Sequence, residues 1–214
     1  MTKNPVYSDR LINRELSWLA FNHRVLQEAI RLDNPLIERF RFLGIFSNNM
    51  DEFFRVRVAN LQRALLVDEA SSTTLGFSVQ QTLQAVTNRV VELQAEYNAA
   101  YESVELALEK EGIKILNEEQ FSEEQESFVA NYFKQQIRPH LVPIMVTTDR
   151  PFPDLKDGVL YFVVGLETQY GSKVEKEYAL VQIPPHLPRF VILPSPQGDR
   201  SVAFVDDVIR KELH

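Results

Sequence analysis

The chain has 214 residues, of which 44% are apolar and 25% charged, a composition typical of globular proteins. It contains no cysteine, which excludes disulfides, zinc–thiolate sites and a cysteine nucleophile. No stretch reaches the roughly 18 apolar residues of a membrane-spanning helix, and the first residues lack the apolar core of a signal peptide. We therefore expect a cytoplasmic protein without a transmembrane segment, and leave peripheral association with a membrane open.

The net charge of −7 is unevenly distributed. Residues 1–67 carry ten Lys/Arg against seven Asp/Glu, residues 68–126 carry three against thirteen, and residues 127–214 carry ten of each. Because binding to a nucleic-acid backbone depends on neutralising its phosphates, the acidic middle argues against a nucleic-acid partner. The mildly basic first third is compatible with a phosphate-bearing ligand, although a solvated helical surface is the simpler explanation of the same charges.

The first third of the chain is predicted to form helices. Apolar residues recur with helical spacing from Leu16 to about Leu32, and again over residues 36–47. Between these segments, Asn34 is placed to cap the second helix and Pro35 to be its first residue.

Asn49 marks the next predicted helix start. Glu52 follows it by three residues, which is the spacing of a capping box. After a predicted loop at residues 71–76, an apolar stripe over residues 79–108 predicts one long helix that Gly112 ends. Packing of this helix on the preceding ones, in an antiparallel bundle, is favoured over an extended coiled coil.

The second half mixes predicted helices and strands, which is typical of an α+β domain. Ser122 is predicted to open a helix that ends near Pro139, and the run 206–213 is predicted to be helical. A turn at residues 170–172 joins two of the predicted strands into a hairpin. The predicted strands are residues 113–116, 159–167, 178–183, 190–193 and 202–205.

The predicted fold class is therefore multi-domain, α followed by α+β. An antiparallel helical bundle at residues 1–111 precedes an α+β domain with an antiparallel sheet at residues 112–214. The last predicted helix starts just before the sequence stops, so we expect the second domain to be truncated. A short terminal helix docked on the sheet is the other interpretation of this ending.

The sequence shows no self-contained active site. It lacks a glycine-rich phosphate loop and a serine nucleophile elbow. Asp51–Glu52 have the composition of a carboxylate pair for metal or proton transfer, but anions are also favoured in the first turn of the helix predicted there. The four histidines stand apart, without metal-ligand spacing, and a structural role is favoured for each. They are His23, His140, His186 and His214.

Several segments resemble the N-terminal domain of bacterial polyphosphate kinases. The similarity begins at about residue 10, is strongest in the first third and continues more loosely to the end of the chain. The segments that carry it are residues 15–22, 25–29, 34–39 and 42–53, with looser agreement at 132–135 and 137–143.

The resemblance implies an enzyme that reversibly transfers the terminal phosphate of ATP to inorganic polyphosphate through a phosphohistidine. In this family the phosphorylated histidine and the Mg²⁺-associated residues lie in later catalytic domains. No histidine here is therefore assigned that role, no residue is assigned as catalytic or as a metal ligand, and the chain alone is predicted to be inactive. The implied partners are ATP, ADP and polyphosphate, together with further copies of the chain in a dimer or tetramer formed through the head domain, residues 112–214.

The resemblance also implies that Asn49 binds ATP. An asparagine amide offers a donor and an acceptor to an adenine edge, and the helix N-terminus predicted beside it would add free N–H groups. Phe42 and Leu43 are candidates for an apolar wall of the adenine pocket, with core packing as the other interpretation. A plain N-cap is the alternative role of Asn49.

A second function remains open. The chain is also compatible with a non-enzymatic helical-bundle module that binds a protein partner. In that case the stripe over residues 79–108 would be a docking face and not part of the core.

Overall fold

The computed structural model describes residues 7–8, 11–66, 78–147, 149–170, 173–196 and 198–213. The chain divides into two compact units, Met1–Leu108 and Glu109–His214. The loop predicted at residues 71–76, the turn residues Gly171 and Ser172, and His214 lie outside the described residues. The domain boundary between residues 111 and 112 stays a prediction.

The first unit is built from helices, preceded by a short antiparallel ladder of two-residue strands. Asn13 begins the first helix, because its side-chain oxygen accepts the backbone N–H groups of Glu15 and Leu16. The elements are β1 (Tyr7–Ser8), β2 (Leu11–Ile12), α1 (Arg14–Ile30), α2 (Leu36–Glu52), a π-helical segment (Phe53–Val58), α3 (Ala59–Leu66) and α4 (Val79–Lys110).

The predicted bundle is confirmed by contacts along α4. Asn13 Nδ2, at the start of α1, donates to Thr82 Oγ1 at 3.2 Å, and His23 Nε2 lies 2.7 Å from Glu96 Oε2 further along both helices. Helices α1 and α4 therefore run in the same direction, and α2 runs antiparallel between them. The apolar stripe of α4 belongs to the core, so its interpretation as a docking face is wrong. Its buried apolar members are Val86, Leu93, Val104 and Leu108.

Arg39 ties the three long helices together. Although only 5% exposed, its guanidinium donates from Nε to Ala29 O at 2.8 Å, and its Nη2 lies 3.4 Å from Ser103 Oγ. Ala29 lies in the last turn of α1, where the helix dipole favours a cation. The carbonyl end of α1 thus helps to stabilise the buried charge.

The predicted start of α2 is wrong by one residue. Pro35 occupies the N-cap position and Leu36 is the first helical residue. Asn34 does not cap this helix; its Nδ2 donates to Glu28 O at 2.7 Å instead. The amide therefore closes the loop onto the end of α1.

The predicted helix restart at Asn49 is also wrong. Helix α2 does not end at Ser47 but continues through Asn49 to Glu52 and into the π-helical segment. Phe46 and Phe53, on either side of Asn49, are 4% and 1% exposed, so core packing holds the helix in one piece. This packing outweighs the weak helix propensity of asparagine, about 0.5 kcal/mol per residue.

The second unit is an α+β structure. Ser122 begins its first helix, as predicted, and does so with a capping box: its Oγ accepts from Gln125 N, and Gln125 Oε1 accepts from Ser122 N. The elements are β3 (Ile113–Ile115), α5 (Glu123–Tyr132), a π-helical turn (Phe133–Ile137), a 3₁₀ turn (Arg138–His140), β4 (Pro143–Val146), β5 (Tyr161–Tyr170), β6 (Lys173–Gln182), β7 (Phe190–Leu193), β8 (Arg200–Phe204) and α6 (Val205–Glu212).

Two three-stranded sheets form in the described part of this unit. One is antiparallel, in the order β4-β6-β5, and contains the predicted hairpin. The other has the order β3-β8-β7, in which β3 and β8 are parallel. The predicted α+β class with an antiparallel sheet is confirmed, whereas β4 and the parallel pair were not anticipated. The largest members of the core are Phe121, Phe133, Ile137, Ile183, Leu193 and Ile209.

None of the helices in the described ranges is both long and apolar enough to cross a bilayer.

Gly112, with φ of +75°, follows the last turn of α4 and donates from its N–H to Glu109 O at 3.0 Å. The predicted role of this glycine at the helix end is confirmed, because residues other than glycine rarely adopt this backbone conformation.

Candidate functional site

A cavity of about 560 Å³ opens in the first unit among α1, the end of α2, the π-helical segment and α3. Apolar faces of Trp18, Phe21 and Phe53 line part of it. Its polar lining residues are Arg14, Glu15, Asn49, Glu52, Arg57 and Asn60. The cavity thus combines aromatic faces with both signs of charge, which is typical of ligand pockets with a few polar anchors.

A buried carboxylate organises the cationic side of the cavity. Glu15 is 6% exposed, and its Oε1 accepts from Arg14 Nε at 3.0 Å and Nη2 at 2.8 Å. Its Oε2 accepts from Arg57 Nη1 at 3.1 Å. A buried charge requires such partners, so Glu15 is committed to the two arginines. Each guanidinium has five N–H groups and keeps donors beyond those that Glu15 uses.

The aromatic side of the cavity is a stack. Trp18 lies parallel to Phe53, with ring centroids 4.8 Å apart and an interplanar angle of 20°. The Arg57 guanidinium carbon lies 6.0 Å from the Trp18 ring centroid, at the outer range of a cation–π contact. Arg57 is therefore held by Glu15 and by Trp18 together, which fixes a cation beside an aromatic face.

Asn49 lies on the cavity lining and is held from behind by Asn22. Its Nδ2 donates to Asn22 Oδ1 at 2.9 Å, and Asn22 Nδ2 donates to Phe46 O at 3.2 Å. Asn22 is fully buried, so this pair is a side-chain brace inside the bundle. Within the described ranges, Asn49 Oδ1 has no hydrogen-bond partner, which leaves an acceptor at the cavity.

The other predicted site residues lie elsewhere. Leu43 is 2% exposed and belongs to the core, Phe42 is half-buried, and neither is on the lining of this cavity. Their assignment to an adenine wall stays a prediction. Arg57 and Trp18 were not among the predicted site residues. Trp18 could have been found, because it lies in the segment 15–22 that carries the family resemblance. Arg57 could not, because no sequence pattern near it indicates its contact with Glu15.

His23 lies in a hydrogen-bonded group that joins α1 to α4. Arg89 Nη2 donates to His23 Nδ1 at 3.0 Å, so the ring proton lies on Nε2 and is donated to Glu96 Oε2. His140 and His186 lie edge to face at 4.7 Å in the second unit. Among the described residues, no group of three or more His, Cys, Asp or Glu side chains is arranged so that it could hold a metal ion.

One carboxyl group of the second unit is strongly perturbed. Asp207, at the start of α6, is 8% exposed, and this burial, reinforced by the charges of Asp206 and Glu118, raises its pKa to about 6. Arg210 Nη1 donates to Asp207 Oδ1 at 2.9 Å and opposes the shift. This cluster lies in the second unit and takes no part in the cavity.

The cavity combines an aromatic stack, an amide acceptor and two clamped arginines in a helical unit. These groups are chemically suited to a ligand that has a flat ring and an anionic group. Residues 11–116 match the family model described as the polyphosphate kinase N-terminal domain, and residues 124–214 match the one described as its middle domain. The chain belongs to the polyphosphate kinase family.

Individual relatives agree. A polyphosphate kinase of Yersinia pestis is 40% identical over 201 residues, covering 92% of this chain and 28% of that protein. One from Exiguobacterium sibiricum is 41% identical over 199 residues, covering 92% and 27%. The crystal structure of polyphosphate kinase from Porphyromonas gingivalis matches with a TM-score of 0.80 at 30% identity, covering 94% of this chain and 30% of that one. The chain thus spans less than a third of the length of these relatives.

Proposed function

We propose that this chain contributes part of the ATP-binding surface of a polyphosphate kinase. Such an enzyme moves the terminal phosphate of ATP reversibly onto inorganic polyphosphate, and the proposal puts the phosphohistidine outside these 214 residues. The observation that carries it is the position of Asn49 on the cavity lining. The proposal includes a cytoplasmic location, where ATP is available.

The contacts of the cavity suggest how the nucleotide is held. The exocyclic amine of adenine donates to the unpartnered Oδ1 of Asn49, while the purine lies against the aromatic face of the cavity. Arg14 and Arg57 keep N–H donors for phosphate oxygens, because Glu15 uses only part of each guanidinium. Asn22 holds the Asn49 amide in position from within the core.

Phosphoryl transfer itself is assigned to residues beyond this chain. Glu15, the carboxylate nearest the arginines, already accepts hydrogen bonds from both of them. Among the described residues, no group of three or more His, Cys, Asp or Glu side chains could hold a metal ion. These residues therefore do not fit a Mg²⁺ site, and we derive no step through the metal. The chain on its own is proposed to bind ATP weakly and to be inactive.

The second unit is proposed to provide contacts between copies in a dimer or tetramer. Ile144 and Val163 flank Leu180 on one face of the antiparallel sheet and are 39% and 68% exposed. Such an apolar sheet face suits burial against a second copy. In sedimentation or light scattering, Val163→Asp is expected to lower the mass, whereas Asp154→Asn, in an exposed loop, leaves it unchanged. An unchanged mass for Val163→Asp would contradict this assignment.

Binding is tested with the single tryptophan, Trp18, which lies on the cavity lining. Excited at a wavelength that ATP does not absorb, its emission is titrated with ATP to millimolar concentration. We expect a saturable change that Asn49→Ala weakens about tenfold, the factor for one hydrogen bond of about 1.4 kcal/mol. Asn98→Ala, at an exposed position of α4, is the matched control and should behave like the wild type.

Activity is tested in a chimaera. Residues 11–214 replace the corresponding part of the Yersinia pestis relative, which supplies the remaining length. The chimaera should form ATP from ADP and polyphosphate, and Asn49→Ala should raise the KM for the nucleotide more than it lowers kcat. Equal nucleotide KM values for Asn49→Ala and Asn98→Ala would refute the proposal.

A further inference from the structure

Two histidines of the second unit are brought together by its core. His140 ends the 3₁₀ turn Arg138–His140, and His186 lies in the loop between β6 and β7. Each follows a buried isoleucine by three residues: Ile137 is 0% exposed, and Ile183 is 8% exposed. Both isoleucines belong to the same hydrophobic core, so the core brings together the two backbone segments that carry the rings.

The backbone around each histidine is constrained. The N–H of Leu141 donates to Arg138 O at 3.2 Å, and the N–H of Leu187 donates to Pro184 O at 3.2 Å, so each ring lies within a closed turn. Prolines at 139, 184 and 185 further restrict these turns. The backbone positions of both histidines are therefore fixed before any ligand arrives, which reduces the ordering cost of binding.

The ring geometry suits a shared metal ion. The ring centroids of His140 and His186 are 4.7 Å apart and the planes meet at 80°. Two imidazoles that ligate one ion through nitrogens at about 2.1 Å, with an angle of 90–110° at the metal, place their centroids about 4.5 to 5.3 Å apart. Both side chains are exposed, and within the described part of the chain neither ring nitrogen is engaged in a hydrogen bond.

We propose that His140 and His186 form a surface site for a first-row divalent metal ion of the Zn²⁺, Ni²⁺ or Cu²⁺ type. Imidazole nitrogen is the preferred donor of these ions, whereas Mg²⁺ and Ca²⁺ prefer oxygen. The two rings supply two ligands, and water completes the coordination sphere. The residues that form this site belong to the second unit, whereas those that line the cavity belong to the first.

The bound ion joins the turn after α5 to the loop before β7. Because an ion that binds only the folded state stabilises it in proportion to its occupancy, the second unit should unfold at higher temperature in the presence of the metal. The chain contains no cysteine, so thiolate binding does not compete with the histidines or obscure the measurement.

The test is calorimetric titration of the chain with NiCl₂ and ZnCl₂, with MgCl₂ as a control for hard cations. We expect one metal per chain, and loss of at least tenfold in affinity for His140→Asn and for His186→Asn, as is usual when one ligand or its support is removed. His214→Asn is the matched control and should bind like the wild type. The asparagine variants keep a small polar side chain, and circular dichroism verifies that they are folded.

Two outcomes overturn the proposal. One is the absence of saturable Ni²⁺ or Zn²⁺ binding up to millimolar concentration. The other is binding that His214→Asn removes or that both His140→Asn and His186→Asn leave intact. A rise in the melting temperature with Zn²⁺ that vanishes in either ligand variant, but not in the control, supports the site independently of the affinity.

Discussion

Replacing Asn22 by alanine tests whether the buried asparagine braces the candidate ATP ligand. Asn22 is fully buried, donates to Phe46 O at 3.2 Å and accepts from Asn49 Nδ2 at 2.9 Å. Asn22→Ala removes both hydrogen bonds and leaves a small void in the bundle. No group of Asn22 is on the cavity lining, so any effect on the nucleotide must act through Asn49.

The expected cost follows from these contacts. Each hydrogen bond contributes about 1 kcal/mol, and the void adds about 1 kcal/mol. Asn49 is half-buried and can recruit water in place of Asn22, so the full penalty for an unsatisfied buried donor does not apply. We expect Asn22→Ala to lower the free energy of unfolding by about 2 to 3 kcal/mol.

Urea unfolding monitored by Trp18 emission measures this cost. The stack of Trp18 on Phe53 makes the single tryptophan a probe of the first unit alone. A double-mutant cycle of Asn22→Ala with Asn49→Ala should give a coupling energy of about 0.5 to 1.5 kcal/mol. The same substitution should weaken ATP binding about as much as Asn49→Ala does.

The control variant is Asn98→Ala, at an exposed position of α4. It is expected to change the stability by less than about 0.5 kcal/mol. If Asn22→Ala costs no more than Asn98→Ala, or if the coupling with Asn49→Ala is zero, the brace does not exist in solution.

Three further substitutions probe stability. Burial raises the pKa of Asp207 to about 6, above the ordinary 3.8, so ionisation destabilises the folded state as pH rises between these values. Asp207→Asn should therefore stabilise the chain by about 1 to 2 kcal/mol at pH 7 but not at pH 3.5, whereas the exposed Asp154→Asn should show no such pH dependence in thermal unfolding. Gly112→Ala, at φ of +75°, should cost about 1 to 2 kcal/mol in urea, whereas Gly44→Ala, where a Cβ meets nothing within 4 Å, should be neutral or stabilising. Leu93→Ala, at a fully buried site of α4, should cost about 2 to 5 kcal/mol, and a value below 1 kcal/mol would contradict the packing.

Features determined by neighbouring residues could be predicted from the sequence. The helix start at Ser122 and the helix end at Gly112 depend on contacts within four residues, and both predictions are confirmed. The long helix α4 was predictable because its apolar stripe is regular. The predicted cap at Asn49 was wrong although the local capping signal was present. Burial of Phe53 stabilises a helix that continues past Asn49, and this tertiary packing outweighs the local signal.

Features determined by distant residues could not be predicted in this way. Glu15 and Arg57 are 42 positions apart, so their ion pair appears only once α1 and the π-helical segment are packed together. The parallel pairing of β3 with β8 joins residues 113–115 to residues 200–202, and no turn signal links them. Asn49 was predicted as a ligand residue from the family resemblance. Its hydrogen bond to Asn22 could not be predicted, because the two residues meet only when α1 and α2 are packed together.

The π-helical segment Phe53–Val58 contains one residue more than an α-helical segment of the same length would, within an otherwise continuous helix from Leu36 to Leu66. An inserted residue rotates everything after it by about 100°, which turns α3 relative to α2. Deleting one residue of this segment, Arg55 for example, should therefore leave the helix intact, with its length almost unchanged, but turn Asn60 and Leu61 away from the cavity. The position of these two lining residues thus depends on helical phase, a property that no single side chain carries.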